Sequence, residues 1–295
     1  MGEPMKPTST ARLASVSELL TVAASAPSTT AAEARVVQAA LADPHLVAFG
    51  TMADLTERAG VGAGTVARLC AKLSLSGFAD LQRRAQVELV ATAGQSAADR
   101  IHDTDPADLL SRVAEAEQRN VSGTFERLDR NAFGAAAAAL ATHNRHVVVM
   151  GSDAANGIAR QFGQELASLR PQVEFLDGNP VTVARRLALG DATDVVVAID
   201  VRRYDAWLVD TVKRFAESGA EVIALTDNPR SKLASSATVH LTFRCDSPGV
   251  FDSFTAALAL LNALNAEVAT RMKTEAAARL QQLERTWKAT QALEG

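Results

Sequence analysis

The strongest constraint on the fold of this chain lies in its second half, where short, mostly apolar segments alternate with helix-like segments. Five of them follow one another: HVVVM (146–150), VEFL (173–176), DVVVAI (194–199), EVIALT (221–226) and TVHLTF (238–243). Strands that are apolar along their whole length are buried on both faces, as in parallel sheets covered by helices on either side. The pattern therefore predicts a doubly wound α/β domain with a parallel five-stranded sheet.

The first part of the chain carries helix-start signals. Thr30 with Glu33, and Thr51 with Asp54, have the spacing of a capping box, in which a hydroxyl and a carboxylate satisfy the first N–H groups of a helix. Gly60 follows the second segment, where many helices end in the left-handed conformation. These signals predict an all-α N-terminal domain.

A third helix is expected over residues 62–73. Its apolar side chains recur at helical spacing and predict a buried stripe of Val66, Leu69, Cys70 and Leu73. Three polar side chains are expected on a solvent-facing side, namely Thr65, Arg68 and Lys72. Two helices joined by a short Gly-containing turn are typical of the helix-turn-helix motif, whose second helix enters the major groove of DNA.

A local basic surface supports this interpretation. The net charge of the chain is −4, so a contact with DNA must come from a local patch. The candidate DNA-binding residues are Thr51, Arg58, Thr65, Arg68, Lys72, Arg83 and Arg84. Thr65 and Arg68 are placed nearest the base edges, and Lys72, Arg83 and Arg84 at phosphates. The alternative is a three-helix bundle whose exposed face happens to be basic.

The segment from Glu33 to Gln82 resembles the N-terminal domain of the RpiR family of transcriptional regulators. The resemblance rests mainly on GVGAGTVARLCAKLSLSGFADL (60–81). Two positions depart from the family pattern, since Gly62 stands where a serine usually begins the recognition helix and Ser74 stands where a glycine is usual. The resemblance implies a DNA-binding regulator.

With this N-terminal match, the α/β half is similar to a sugar isomerase (SIS) domain, the effector-binding module of RpiR regulators. SGAEVIALTDNPRSKLASSATVHLTF (218–243) is the best-matching segment. SIS domains that bind phosphosugars usually carry serine-rich turns after the first and third strands. Here these turns read GSDAA (151–155) and DVRR (200–203), so the diagnostic serines are missing.

Ligands of such sheets bind at the carboxyl ends of the strands. The candidate ligand-binding residues there are Ser152, Asp153, Asn156, Asp200, Arg202, Arg203 and Thr226. In one interpretation, Arg202 and Arg203 clamp a small anionic metabolite, either a sugar phosphate or a sugar acid. In the other, the domain is degenerate and serves only dimerisation, with these arginines paired to Asp200 and Asp205.

The chain is expected to divide into five segments. They are a flexible arm (1–29) with a short helix near VSELLTV, a helix-turn-helix domain (30–92), a helical linker (93–142), a SIS-like domain (143–270) and a C-terminal helix (271–295). The last helix carries an apolar stripe of Met272, Ala276, Leu280, Leu283 and Trp287. This stripe suits packing on a partner subunit, although Trp287 could equally fold back onto its own chain.

Enzyme motifs are not apparent, so no catalytic residue, metal or cofactor is expected. For a sugar-phosphate isomerase, the alternative function, Asp252 is the one candidate acid–base residue, and an N-cap role for it is favoured. Cys70 and Cys245 match no metal or redox spacing and are expected to be reduced thiols in the cytoplasm. The expected partners are a palindromic double-stranded DNA operator, a small anionic effector and further copies of the chain in a homodimer or homotetramer, with no membrane.

Overall fold

The computed structural model describes residues 15–94, 97–103 and 108–292. The chain divides into two compact units, Met1–Gln95 and Ser96–Gly295. Within the described ranges, no helix combines the length and the apolar character that a membrane span requires.

The first unit is all helical, as predicted. Its helices are α1 (Val16–Ser25), α2 (Ala31–Ala42), α3 (Pro44–Phe49), α4 (Met52–Ala59), α5 (Ala63–Lys72) and α6 (Phe78–Gly94). Both predicted capping boxes are present, at Thr30 and at Thr51. Gly60 ends α4 with φ of +61°, the left-handed conformation that glycine adopts without strain.

Helix α1 corrects the prediction of a flexible arm. It occupies the VSELLTV region, and Val16, Leu20 and Ala23 are buried in the same core as α2 to α6. The Glu88 carboxylate of α6 accepts a hydrogen bond of 2.7 Å from the Val16 N–H at the start of α1. The first 14 residues of the predicted arm lie outside the described part of the chain. Helix α1 is therefore a structural part of the first unit.

Helix α3 was not expected. The Asp43 carboxylate accepts the Leu46 N–H at 3.0 Å, and Pro44 takes the first helical position, where a missing N–H costs nothing. Asp43-Pro44 thus both ends α2 and begins α3. The sequence pattern predicted the end of α2 but not the start of α3.

The second unit begins with helices and continues as an α/β sandwich. The helices that precede its sheet are α7 (Ala97–Asp103), α8 (Leu109–Glu126) and α9 (Arg130–Ala141). The strands are β1 (Val147–Gly151), β2 (Val173–Leu176), β3 (Val195–Ile199), β4 (Glu221–Thr226) and β5 (Val239–Thr242). The helices between and after them are α10 (Asn156–Leu169), α11 (Pro180–Ala188), α12 (Ala206–Glu217), α13 (Lys232–Ser235), α14 (Thr255–Arg271) and α15 (Lys273–Thr290).

The sheet is parallel throughout, with strand order β2-β1-β3-β4-β5. Val147 and Val149 of β1 face one core with α9, α10 and α14, whereas Val148 and Met150 face a second core with α12 and α13. Burial on both faces explains the unbroken apolar strands, and the predicted doubly wound α/β fold is confirmed.

The C-terminal helix buries only the start of its apolar stripe. Met272 and Ala276 are 3% exposed, whereas Leu280 is 39% exposed. Helix α15 therefore packs on its own unit near its start, where Arg279 also donates to the Ala167 carbonyl of α10.

Candidate nucleic-acid interface and effector site

Helices α4 and α5 form a helix-turn-helix pair in the first unit. The turn between them is tightened by hydrogen bonds from the Val61 N–H to the Thr56 carbonyl and from the Thr65 N–H to the Gly62 carbonyl. Gly62 is the N-cap of α5 and supplies no side-chain hydrogen bond, which follows from the missing hydroxyl. Glycine is tolerated at this position at a cost of a few tenths of a kcal/mol relative to serine.

A long-range contact that the sequence pattern did not indicate stabilises the turn. The Arg35 guanidinium of α2 donates to the carbonyls of Ala59 and Gly60, at 3.1 and 3.3 Å. It thereby satisfies carbonyls at the C-terminal end of α4, which have no partner within the helix. No local signal could have revealed this role, because 24 residues separate Arg35 from Ala59.

On α5, the predicted apolar stripe is largely confirmed, but the placement of Thr65 is wrong. Val66, Leu69 and Cys70 are buried, and Thr65 is only 7% exposed. Thr65 precedes Leu69 by four residues, so both lie on the same side of the helix. Arg68 is exposed and donates a hydrogen bond of 3.2 Å to the Thr65 hydroxyl. Thr65 therefore orients Arg68, which keeps its accessible position.

Lys72, predicted to contact a phosphate, is tied to α2. Its ammonium lies 2.6 Å from the Glu33 carboxylate and donates at 2.8 Å to the Ser28 carbonyl. The hydrogen bond from Lys72, followed by that from the Thr30 N–H, lowers the pKa of Glu33 to about 2. Lys72 therefore joins the recognition helix to the start of α2.

The remaining DNA candidates lie around α4 and α6. Arg83 and Arg84 share one carboxylate oxygen of Asp80, at 2.6 and 3.3 Å, and Arg83 is 72% exposed. Arg58 is exposed, and the hydroxyl of exposed Thr51 accepts the Asp54 N–H. The ion pairs with Asp80 offset part of the positive charge of Arg83 and Arg84, so this surface is less basic than its number of cations indicates.

In the second unit, the predicted ligand residues meet where β1, β3 and β4 end. Ser152 is buried, its N–H donates to the Ile199 carbonyl, and its hydroxyl accepts the Ala155 N–H. The Asp153 N–H donates at 2.8 Å to the carboxylate of Asp205. Asn156 opens α10 and is half-buried, and in the described ranges its side chain makes no hydrogen bond. The turn after β1 is thus held by the chain's own side chains.

Asp200 is a buried carboxylate at the end of β3. Its two oxygens accept the N–H groups of Val201 and Asp205, at 2.8 and 2.7 Å. Burial raises its pKa to about 6, against the lowering effect of these hydrogen bonds. Asp200 therefore organises the β3–α12 turn, and its charge disfavours an anion close by.

Arg202 pairs with Asp252, so its pairing with Asp200 or Asp205, which belonged to the degenerate-domain interpretation, is wrong. The Arg202 Nε lies 2.7 Å from the Asp252 Oδ1, and its backbone N–H donates to Asp227. Its φ of +54° places it in the left-handed region, which turns the side chain toward the loop between β5 and α14. The neighbouring Arg203 is exposed.

Thr226, predicted to orient a ligand, is completely buried. Its hydroxyl lies 2.9 Å from the Tyr204 hydroxyl, which donates at 2.6 Å to Asp227. Thr226 therefore supports the site from beneath. Tyr204 is the only tyrosine of the chain and was missed, because nothing in its local sequence relates it to β4.

The N-cap role predicted for Asp252 is also wrong. Helix α14 begins at Thr255, and its N–H donates to the Ser253 hydroxyl at 3.2 Å. Asp252 lies outside the helix, where it accepts a hydrogen bond from Arg100 of α7 and forms an ion pair with Arg202. A carboxylate in this position can hold guanidinium groups, which in turn are suited to bind an oxyanion.

Comparison with known proteins identifies both units. Residues 17–91 match the family model of the helix-turn-helix domain of the rpiR family, and residues 140–266 match the SIS domain model. An uncharacterised HTH-type transcriptional regulator of Haemophilus influenzae is 23% identical over 71% of this chain and 74% of its own length. The regulator YbbH of Bacillus subtilis is 26% identical over 68% of this chain and 70% of its own.

Solved structures show the same fold. The sugar isomerase domain of an RpiR transcription factor from Sphaerobacter thermophilus is 29% identical, with a TM-score of 0.58, over 60% of this chain and 98% of its own. The Vibrio vulnificus NanR protein complexed with ManNAc-6P is 17% identical, with a TM-score of 0.52, over 92% of this chain and 98% of its own.

Proposed function

This chain belongs to the RpiR-type transcriptional regulators, and we propose that it binds operator DNA through α5 and a small anionic metabolite at the strand ends of its SIS domain. The observation that carries the proposal is the succession of the two domain types in one chain. A helix-turn-helix unit supplies the DNA contact, and a doubly wound unit supplies a ligand crevice.

On the DNA side, Arg68 is the proposed base-contacting residue. It is exposed on the recognition helix and hydrogen-bonded to buried Thr65, which limits the orientations of its side chain. Arg58, Arg83 and Arg84 are proposed as phosphate contacts, because phosphate binding needs positive charge without strict geometry. Lys72 contributes to the position of α5 through Glu33.

On the ligand side, Arg202 and the first turn of α10 are proposed to hold an anionic group. The Arg202 side chain is only 15% exposed at the strand ends, where its Nε lies 2.7 Å from the Asp252 Oδ1. The first N–H groups of α10 point out of the helix at the end of β1, and no side chain caps them. A sugar phosphate is the favoured class, because the similar NanR protein is described in complex with ManNAc-6P.

An isomerase activity is the alternative, and the surroundings of Asp252 disfavour it. A general base must be free to take a proton, whereas Asp252 is bound by Arg100 and Arg202. A second alternative is a degenerate SIS domain that serves only dimerisation.

Whether or not the SIS domain binds a metabolite, we propose that the protein is a homodimer or homotetramer that reads a palindromic operator in the cytoplasm, since two recognition helices match two half-sites.

The test of ligand binding is a thermal-shift panel of sugar phosphates, sugar acids and small carboxylates. A ligand that binds only the folded protein raises its melting temperature. The proposal predicts a shift for the wild type that Arg202→Ala loses. The matched control is Arg214→Ala, which removes an exposed arginine paired with Asp210 on α12. Shifts retained in Arg202→Ala would contradict the site, and a panel without any shift would favour the degenerate domain.

A further inference from the structure

Arg100 reaches the strand-end site from outside the SIS domain. It lies on α7, whereas the SIS match covers residues 140–266. Its Nη1 donates at 2.9 Å to the Asp252 Oδ1, and its Nη2 donates at 2.8 Å to the Gly249 carbonyl. The side chain is 13% exposed, so these contacts are shielded from water. An arginine outside the SIS match therefore lies at this site.

Asp252 presents a single oxygen to two guanidinium groups. Its Oδ1 lies 2.9 Å from the Arg100 Nη1 and 2.7 Å from the Arg202 Nε. The carboxylate is 18% exposed and Arg202 15% exposed, so the attraction is weakly screened. Two guanidiniums that converge on one point define a position for an anionic oxygen, and the chain's own carboxylate fills it.

The loop that carries Asp252 is anchored on both sides of this residue. The Arg244 N–H donates to the Thr124 hydroxyl at 2.9 Å, and the Asn120 amide donates to the Asp246 carbonyl at 2.7 Å. The Ser253 hydroxyl donates at 2.5 Å to Glu117. These contacts hold the β5–α14 loop against α8 without the help of Asp252. The Asp252 side chain can therefore leave its position while the loop remains in place.

We propose that Arg100 and Arg202 together form an anion-binding subsite that Asp252 occupies as an internal competitor. This inference rests on the proposed effector function and extends its site by one residue beyond the SIS domain. The ligand group is a phosphoryl or carboxylate group, whose oxygens can bind both guanidiniums and replace the Asp252 Oδ1. Exchange of one carboxylate oxygen for a ligand oxygen leaves the charge around the arginines balanced.

The competitor role and a supporting role of Asp252 predict opposite results. If Asp252 competes with the ligand, Asp252→Asn tightens phosphate binding, because the competing charge is gone. If Asp252 only positions Arg202 for the ligand, the same change weakens binding. Arg100→Gln weakens binding in the first case and leaves it unchanged if Arg100 is merely structural.

The experiment is calorimetric titration of the full chain with inorganic phosphate and with a hexose 6-phosphate. Wild type is compared with Asp252→Asn and Arg100→Gln. The matched controls are Asp210→Asn and Arg214→Gln, which change an exposed pair of the same type on α12. The expected dissociation constant falls on the order of tenfold for Asp252→Asn and rises on the order of tenfold for Arg100→Gln, the size typical of one charge-assisted contact.

Unchanged or weaker binding by Asp252→Asn would overturn the competitor role, and unchanged binding by Arg100→Gln would exclude Arg100 from the subsite. Wild type that binds neither probe would overturn this inference, and the effector function fails with it only if the thermal-shift panel of sugar acids and carboxylates also gives no shift. Circular dichroism without ligand verifies that each variant is folded. Should Asp252→Asn be unfolded, Arg100→Lys replaces it as the test variant, because it keeps a cation beside Asp252 and removes the guanidinium group. The proposal then requires weaker phosphate binding at an unchanged melting temperature, and binding equal to wild type overturns it.

Discussion

Arg68 is the side chain on which the proposed DNA contact depends most. Arg68→Ala removes the guanidinium and is expected to weaken binding to a specific site by about 1–3 kcal/mol. Arg84→Ala should weaken binding to all sequences similarly and lower the salt dependence of log Kd by about one unit. Fluorescence anisotropy with a DNA fragment selected from a random library measures the affinity of both variants and its salt dependence. Arg271→Ala, in the second unit, is the control, and equal binding by Arg68→Ala and wild type would refute the base contact.

Glu33 gives the first unit a defined pH dependence. Its folded-state pKa of about 2 lies below the usual 4.5, so the ionised carboxylate stabilises the fold above pH 4.5 and loses that contribution as the pH falls toward 2. Glu33→Gln should therefore lower the melting temperature at pH 7 and differ less from wild type at pH 3. Circular dichroism melts of the full chain at both pH values measure this. Exposed Glu57→Gln is the control, and a difference that does not change with pH would contradict the role of Glu33.

At the residue scale, the sequence predicted where side chains lie along the chain better than what they contact. The positions of Arg68 and Arg202, on α5 and at a strand end, agree with expectation. Their partners were not predicted. Arg68 binds Thr65 on its own helix, whereas Arg202 pairs with Asp252, which is distant in sequence, as Lys72 does with Glu33. Helical periodicity places a side chain on a face but does not reveal which neighbouring helix or loop covers that face.

Helix α1 provides the clearest test at the scale of secondary structure. Leu20 is 2% exposed in the core of the first unit, whereas Val22 on the same helix is 69% exposed. Leu20→Ala should lower the free energy of unfolding by about 2–5 kcal/mol. Val22→Ala should change it by less than about 0.5 kcal/mol. Urea denaturation of the full chain measures both, and equal stability of the two variants would contradict the packing of α1.

The elements were predictable where their signals are local. The capping boxes before α2 and α4, Gly60 and the five apolar strands each follow from a few adjacent residues. The packing of α1 and the start of α3 depend on tertiary contacts, which composition and periodicity do not encode. The site could be predicted as a location at the strand ends, and its hydrogen-bond network could not.

At the scale of the whole molecule, the two units have complementary tasks. The first carries the recognition helix and the second the crevice, and a regulator needs both because ligand binding must change the affinity for DNA. A ligand can shift that affinity only by as much as it binds the two states of the protein differently. Binding of a sugar phosphate alone would therefore not establish regulation.

The most direct test is the affinity of the full chain for its selected DNA site, measured by anisotropy with and without the sugar phosphate that stabilises it. Ligand-responsive regulation predicts that Kd changes by roughly 5- to 150-fold, the range of typical coupling energies. The change should be absent in Arg202→Ala, whose affinity for DNA without ligand should equal that of wild type. An identical Kd with and without saturating ligand would contradict the proposal that this protein couples metabolite binding to DNA binding.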